Sequence, residues 1–167
     1  HLIGSHVPVD TRYPRENAPF TNDALRGQKG WMSINHYDNS IWYTDNVIGK
    51  IMLGLKLAKR PSWLLYLSDH GETPDAAGWR MADEKDLWTI PFFIWFSRGY
   101  SEKYPGIVEN VKSVRNRSLQ SDQLLWGMLS VAGVEGLKEC DSKNFLNTDF
   151  KVRNPRKILN GNANYGW

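Results

Sequence analysis

Apolar positions recur with a helical period over residues 36–58. Ile41, Thr44, Ile48, Ile51, Met52 and Leu55 fall three or four residues apart and line one face of a predicted helix. Asn35 can cap it, and Asp38 sits near its predicted start, where a carboxylate favours the positive end of the helix dipole. Lys56, Lys59 and Arg60 crowd the other end, and Pro61 stops it. A second helix is predicted over 121–132, with Leu124, Leu125, Met128 and Leu129 on its apolar face, Ser121 or Asp122 as cap and Gly133 as terminator. Two other segments are continuously apolar: 63–68 (Trp-Leu-Leu-Tyr-Leu-Ser) and 90–97 (Ile-Pro-Phe-Phe-Ile-Trp-Phe-Ser). Such runs predict strands buried on both faces, as at the centre of a parallel sheet. Pro91 stands where a strand tolerates proline. Gly and Pro break any period in residues 1–33 and 69–89, which read as loop. Residues 98–118 read as a connecting segment. Beyond Cys140 the chain is rich in Asn and Lys and is predicted to run over the surface.

Helix, strand, loop, strand, helix is an α/β pattern. Two strands are too few for a complete sheet, so the chain is expected to be the second half of a larger domain. In that scheme residues 1–140 form the half domain, and 141–167 are a polar C-terminal tail packed on it. A half domain leaves a sheet edge and apolar surface bare, so self-association is expected unless the other half is present.

The 167 residues are 41% hydrophobic and 23% charged, a globular composition. The apolar runs fall far short of the roughly 20 residues a membrane helix needs. No signal-peptide pattern is present. The chain begins at His1, so it reads as a processed product or a piece of a longer chain. The single cysteine, Cys140, excludes an internal disulfide and a thiolate zinc cluster. The net charge of +3 is mild. The basic residues are scattered, with one loose group at Lys151, Arg153, Arg156 and Lys157, which reads as a solvated surface and not as a nucleic-acid site. Eight tryptophans can fill a core or sit near a lipid interface.

Three segments carry chemistry. Ser68-Asp69-His70-Gly71-Glu72 follows the first predicted strand, at the end where open α/β sheets collect their sites. Asp carboxylate and His imidazole are both good zinc ligands. Neighbours in a regular strand point to opposite faces, so Asp69 and His70 can share an ion only where the chain has bent, which Gly71 allows. His1-Leu2-Ile3-Gly4-Ser5-His6 sets two histidines in a loop, where a neutral imidazole can ligate a metal and an imidazolium can bind phosphate; taken alone, His6 reads as a solvent-exposed loop histidine and His1 as a remnant of how the chain was made. Asn35-His36-Tyr37-Asp38-Asn39-Ser40-Ile41-Trp42-Tyr43-Thr44-Asp45 reads as a helix entry with structural duties, His36 included.

Together these segments, with Arg12-Tyr13-Pro14 after the first, resemble the bacterial phosphoethanolamine transferases of the alkaline phosphatase and sulfatase superfamily. The resemblance covers about residues 1–135. It implies a partial sulfatase-like α/β fold, mostly parallel sheet with flanking helices. It implies an enzyme of the bacterial inner membrane whose catalytic domain faces the periplasm, this segment itself being soluble. That enzyme moves phosphoethanolamine from phosphatidylethanolamine to lipid A or a core sugar through a phosphothreonine intermediate. Asp69 and His70 match zinc ligands, and His6 and, less closely, His1 match residues that handle substrate. One zinc is expected in the complete domain, held weakly or not at all by this chain alone. The nucleophilic threonine and an early glutamate ligand belong upstream of His1, so no catalytic residue is expected here, and the N-terminal half and a membrane anchor are the implied partners. Residues 73–89 depart from the family in lacking a histidine. That departure keeps open a sulfatase-like or phosphodiesterase-like hydrolase, and a non-catalytic remnant is the third alternative.

Overall fold

The computed structural model describes residues 4–5, 8–21, 31–71, 74–75, 78–79, 85–134, 136, 142–152, 156–158 and 163–165. Its packing divides the chain into two compact units, His1–Ser97 and Arg98–Trp167.

The first unit is organised by α1 (Trp31–Leu57), 27 residues and about 40 Å long. It begins five residues before the predicted start. Asn35, expected as its cap, therefore lies inside the helix and is buried. Asp38 likewise falls beyond the first turn, where the dipole no longer favours its charge. Pro61 was expected to stop the helix; the turn itself is made by Lys59, whose φ of 53° is left-handed. Two 3₁₀ turns (Val9–Thr11 and Arg15–Asn17) precede α1 where only loop was expected. The first turn packs against α1 and buries Val9. The Asn39 side chain holds Phe20 at both backbone groups, accepting from its N–H at 2.9 Å and donating to its carbonyl at 3.0 Å.

The two apolar runs form β1 (Trp63–Leu67) and β4 (Phe92–Phe96), each within a residue or two of expectation. Between them lie β2 (Pro74–Asp75), β3 (Gly78–Trp79) and a single helical turn, α2 (Lys85–Trp88), in a stretch read as loop. The α/β class stands, but the expected strand direction is corrected. β1 and β4 pair antiparallel, Trp63 opposite Phe96 through Leu67 opposite Phe92, and every ladder among the described residues is antiparallel. The apolar runs misled because hydrophobic continuity reports burial and carries no information on direction. Neither strand is fully buried; all five residues of β1 are half-buried. Tyr66 stacks on its cross-strand neighbour Phe93, with ring centroids 5.4 Å apart. Ser97 closes the far end. Its N–H donates to the Ser62 carbonyl and its Oγ accepts from Ser62 N–H, both at 2.9 Å.

The second unit holds α3 (Arg98–Lys103), α4 (Pro105–Ser113) and α5 (Leu124–Val131). The first two replace the expected connecting segment. Proline at the first position of α4 suits its fixed φ. Ahead of α5, the Gln120 and Gln123 side chains cap each other's backbone, so the expected caps Ser121 and Asp122 are displaced into a 3₁₀ turn. Gly133, at φ 79°, ends α5 as expected. The segment after Cys140 does not simply run over the surface. Phe145, Leu146 and Phe150 are buried there, too irregularly spaced to show a period. The Phe145 ring lies where a Cβ on Gly127 would stand. Arg117 Nη1 donates to the carbonyls of Phe145 and Asn147 at 2.7 and 2.6 Å, and Asn144 Nδ2 donates to Ser130 Oγ at 2.7 Å. The Tyr100 hydroxyl donates to the Val131 carbonyl. A last hairpin joins β5 (Arg156–Ile158) to β6 (Ala163–Tyr165).

Two substitutions test this packing. Ser97→Ala strands the part-buried Ser62 N–H, and a loss of about 1–3 kcal/mol in urea unfolding is expected. Gly127→Ala forces the Phe145 ring off α5, with an expected loss of about 1–3 kcal/mol. An unchanged midpoint in the second variant would show that the ring does not lie on that helix.

Candidate functional site

The site candidate grows from the end of β1. Ladder pairing continues one step past Leu67, where Ser68 N–H donates to the Pro91 carbonyl at 3.4 Å. The chain then bends at Asp69 and His70. It is caught again at Gly71, whose N–H donates to the Leu87 carbonyl of α2 at 2.9 Å. Asp69 and His70 thus span two fixed backbone points.

Short side chains build the bend itself. Ser68 Oγ donates to the His70 carbonyl at 2.7 Å, and Asp69 Oδ1 accepts from His70 N–H at 3.1 Å. These local bonds replace ladder bonds, which is how Ser and Asp turn a chain out of a strand. Side chains that would diverge in a regular strand now face one another, with Asp69 Oδ2 and His70 Nε2 3.9 Å apart.

The imidazole is also oriented. His70 Nδ1 lies 2.8 Å from the Gly71 carbonyl oxygen. A carbonyl only accepts, so Nδ1 carries the proton, and in the neutral ring the lone pair is on Nε2, the nitrogen nearer Asp69. A backbone carbonyl behind one ring nitrogen is the usual device for fixing a metal-ligating histidine. Asp69 is 86% exposed and the His70 side chain 42%, so their mutual charge attraction is screened by solvent and contributes little stability. Burial, and secondly the charge of Asp69, raise the Tyr66 phenol above its ordinary pKa.

This donor set fits a divalent ion in part. Carboxylate oxygen and imidazole nitrogen stand close enough to share one ion after a small side-chain rotation. A closed zinc site needs about four ligands. Among the described residues no group of three His, Cys, Asp or Glu side chains gathers here or elsewhere. His1 and His6, expected to handle substrate, lie outside the described residues, as does Glu72.

The helix-entry motif holds α1 against the preceding segment. Tyr13 Oη and His36 Nδ1 are 2.6 Å apart, and Ser40, fully buried, donates to the Tyr37 carbonyl at 2.6 Å. Among the described residues, Asn35 Oδ1 is buried without a hydrogen-bond partner, and so is the indole N–H of Trp88 in α2. Sequence reasoning did not single out Trp88 or the Leu87 carbonyl. A lone helical turn in a polar stretch has no period, and the carbonyl's role depends on tertiary placement.

The family model described as Sulfatase matches residues 1–134. Phosphoethanolamine transferase EptC of Escherichia coli K12 is 31% identical over 117 residues, covering 63% of this chain and 20% of that protein. Phosphoethanolamine transferase EptA of Salmonella typhimurium is 30% identical over 152 residues, covering 81% of this chain and 27% of that protein. In three dimensions the whole chain superposes on half of the C-terminal periplasmic domain of EptC from Escherichia coli, with a TM-score of 0.83 and 25% identity. The corresponding Campylobacter jejuni domain matches 90% of the chain and 51% of its own length, with a TM-score of 0.69 and 28% identity. The chain belongs to the sulfatase family. Within it, the resemblance to bacterial phosphoethanolamine transferases is carried by these named relatives, of which the chain spans between 20% and 27% of the length in the two examples given. No helix among the described residues is long and apolar enough to cross a membrane.

One titration follows from the position of Asp38. Burial raises its pKa above 3.8. A carboxyl whose folded pKa is raised favours the fold when protonated, and that contribution is lost as pH rises through the folded pKa. Asp38 is exposed, so solvent screening keeps the effect small: Asp38→Asn should raise the melting temperature at pH 7 only slightly, and the gain should fade as pH falls through the carboxylate range and Asp38 becomes protonated in both states. Parallel melting curves of the two proteins across that range check the sign.

Proposed function

We propose that this chain is the C-terminal part of the catalytic domain of a metal-dependent phosphoethanolamine transferase, with Asp69 and His70 holding one zinc ion. The observation that carries this reading is the pairing of Asp69 Oδ2 with His70 Nε2 at 3.9 Å while the Gly71 carbonyl fixes the ring. The bound ion supplies positive charge against phosphate oxygens and favours ionisation of a nearby hydroxyl. Asp69 brings the compensating negative charge and His70 a neutral nitrogen donor. The bend between β1 and α2 keeps both at the strand end, where their exposure leaves room for a headgroup.

In this scheme the nucleophilic threonine lies outside this chain. The donor substrate is phosphatidylethanolamine, the acceptor is lipid A or a core sugar, and a phosphothreonine links the two half-reactions. The catalytic domain faces the periplasm from an inner-membrane anchor, in keeping with the relatives' solved periplasmic domains. His1 and His6 handle the substrate. The half-buried β1–β4 ladder and the exposed Ile41, Ile51 and Phe93 suit a surface meant to be covered by an N-terminal half, or by a second copy when that half is missing.

The test uses the full-length parent. Asp69→Asn and His70→Gln should each cut phosphoethanolamine transfer by at least about 100-fold, since even the partners behind metal ligands are worth 10–100-fold. The isolated chain should bind zinc weakly in calorimetry. Unchanged transfer in both variants, or tight stoichiometric zinc binding by the isolated chain, would contradict the reading.

A further inference from the structure

The outward side of α1 changes character over its last two turns. Leu53 and Leu57 are 54% and 69% exposed, although the helix buries Ile48 and half-buries Met52 and Leu55 on its packed side. At about 100° per residue, the two leucines stand about 40° apart around the helix and about 140° or more from Ile48. Lys50 lies about 20° beyond Leu57 and Lys56 about 60° beyond Leu53, and both are exposed. Lys59 and Arg60 follow, also exposed, and no Asp or Glu occurs from Asn46 to Ser68. Among the described residues, nothing lies within 4 Å of the point where a Cβ would stand on Gly49, which falls between Leu53 and Lys56 on this open side. The helix dipole accounts for cations at the end of α1. It accounts neither for Lys50, two turns earlier, nor for two leucines standing in water.

We propose that this end of α1 docks the protein on an anionic lipid surface. A narrow apolar stripe with a lysine on either flank is the pattern of a helix lying in the plane of the headgroups. The leucines enter the acyl boundary, and the lysine stems bend outward to the phosphates. Charge complementarity selects this occupant. Each Lys or Arg near such a surface raises binding about fivefold, and the stretch has no carboxylate to offset the attraction. Nucleic acid would pair with the cations but leave Leu53 and Leu57 in water. A second copy of the stripe would bring lysines against lysines. Ile41 and Ile51, which suit cover by an N-terminal half, stand at least about 120° from both leucines, so the two faces do not compete. No residue of the Asp69–His70 site takes part, so lipid docking here is separate from the reaction proposed above.

The full chain should co-sediment with vesicles of about one-third phosphatidylglycerol in phosphatidylcholine, and not with phosphatidylcholine alone. Raising the salt to about 0.5 M should weaken binding at least about fivefold, as screening predicts. Lys50→Gln with Lys56→Gln should weaken it about 25-fold, and Leu53→Gln with Leu57→Gln at least about tenfold. These side chains are exposed, so circular dichroism should show an unchanged fold in both variants. Leu125→Gln, at a leucine 55% exposed on α5, controls for general stickiness and should bind as the unaltered chain does. Equal binding to both vesicle types, or a loss in Leu125→Gln as large as in the α1 leucine variant, would overturn the proposal. So would full binding by the leucine variant with loss only in the lysine variant, which would mean attraction of charge without insertion. A dimer in light scattering that the leucine variant abolishes while vesicle binding stays intact would overturn it as well, because a second copy would then cover the stripe.

Discussion

The hydrogen bond from Gly71 N–H to the Leu87 carbonyl is the constraint on which the site depends. Without it, the chain leaving β1 would be free after Ser68, and adjacent Asp and His side chains would have no reason to converge. With it, residues 69–70 must bend between two anchored backbone points. The Ser68 and Asp69 side chains then satisfy the polar groups that the bend takes out of the ladder. The Gly71 residue that anchors the bend also offers its carbonyl to His70 Nδ1, so one residue fixes both the backbone path and the ring tautomer. The site is thus made by backbone geometry, and the strongly exposed Asp69 needs no buried charge partner to hold its place.

The sequence made some of this legible and hid the rest for physical reasons. The β1 and β4 runs were plain because Trp63–Leu67 and Phe92–Phe96 are unbroken apolar stretches. Their direction was not, because antiparallel pairing depends on where a long connection returns. The start of α1 was missed because Trp31–Asn35 lack a helical apolar period, although nothing in them breaks a helix. The Asp69–His70 pair was visible as chemistry and as position. Its bend was expected from glycine freedom, whereas Ser68 and Asp69 side chains produce it. Leu87 and Trp88 left no trace, since one helical turn in a charged stretch resembles loop.

The second unit shows the same limit. Its tail is polar in composition, yet Phe145, Leu146 and Phe150 are buried. Composition averages over residues, while packing is decided by a few. Gly127 makes the point locally: the absence of a side chain there is what gives Phe145 its seat, and no pattern of neighbours announces it. Nine of the ten residues of the β1–β4 ladder are half-buried and Phe93 is exposed, as are Ile41, Ile51, Leu53 and Leu57 of α1.

The bend presents His70 as a nitrogen donor through Nε2. Nitrogen-15 NMR of the histidine rings at neutral pH tests it most directly. His70 should carry its proton on Nδ1, with the shift of a hydrogen-bonded N–H, and a bare Nε2 in the neutral form. A ring protonated on Nε2 would contradict it, because the Gly71 carbonyl would then not be what orients the imidazole.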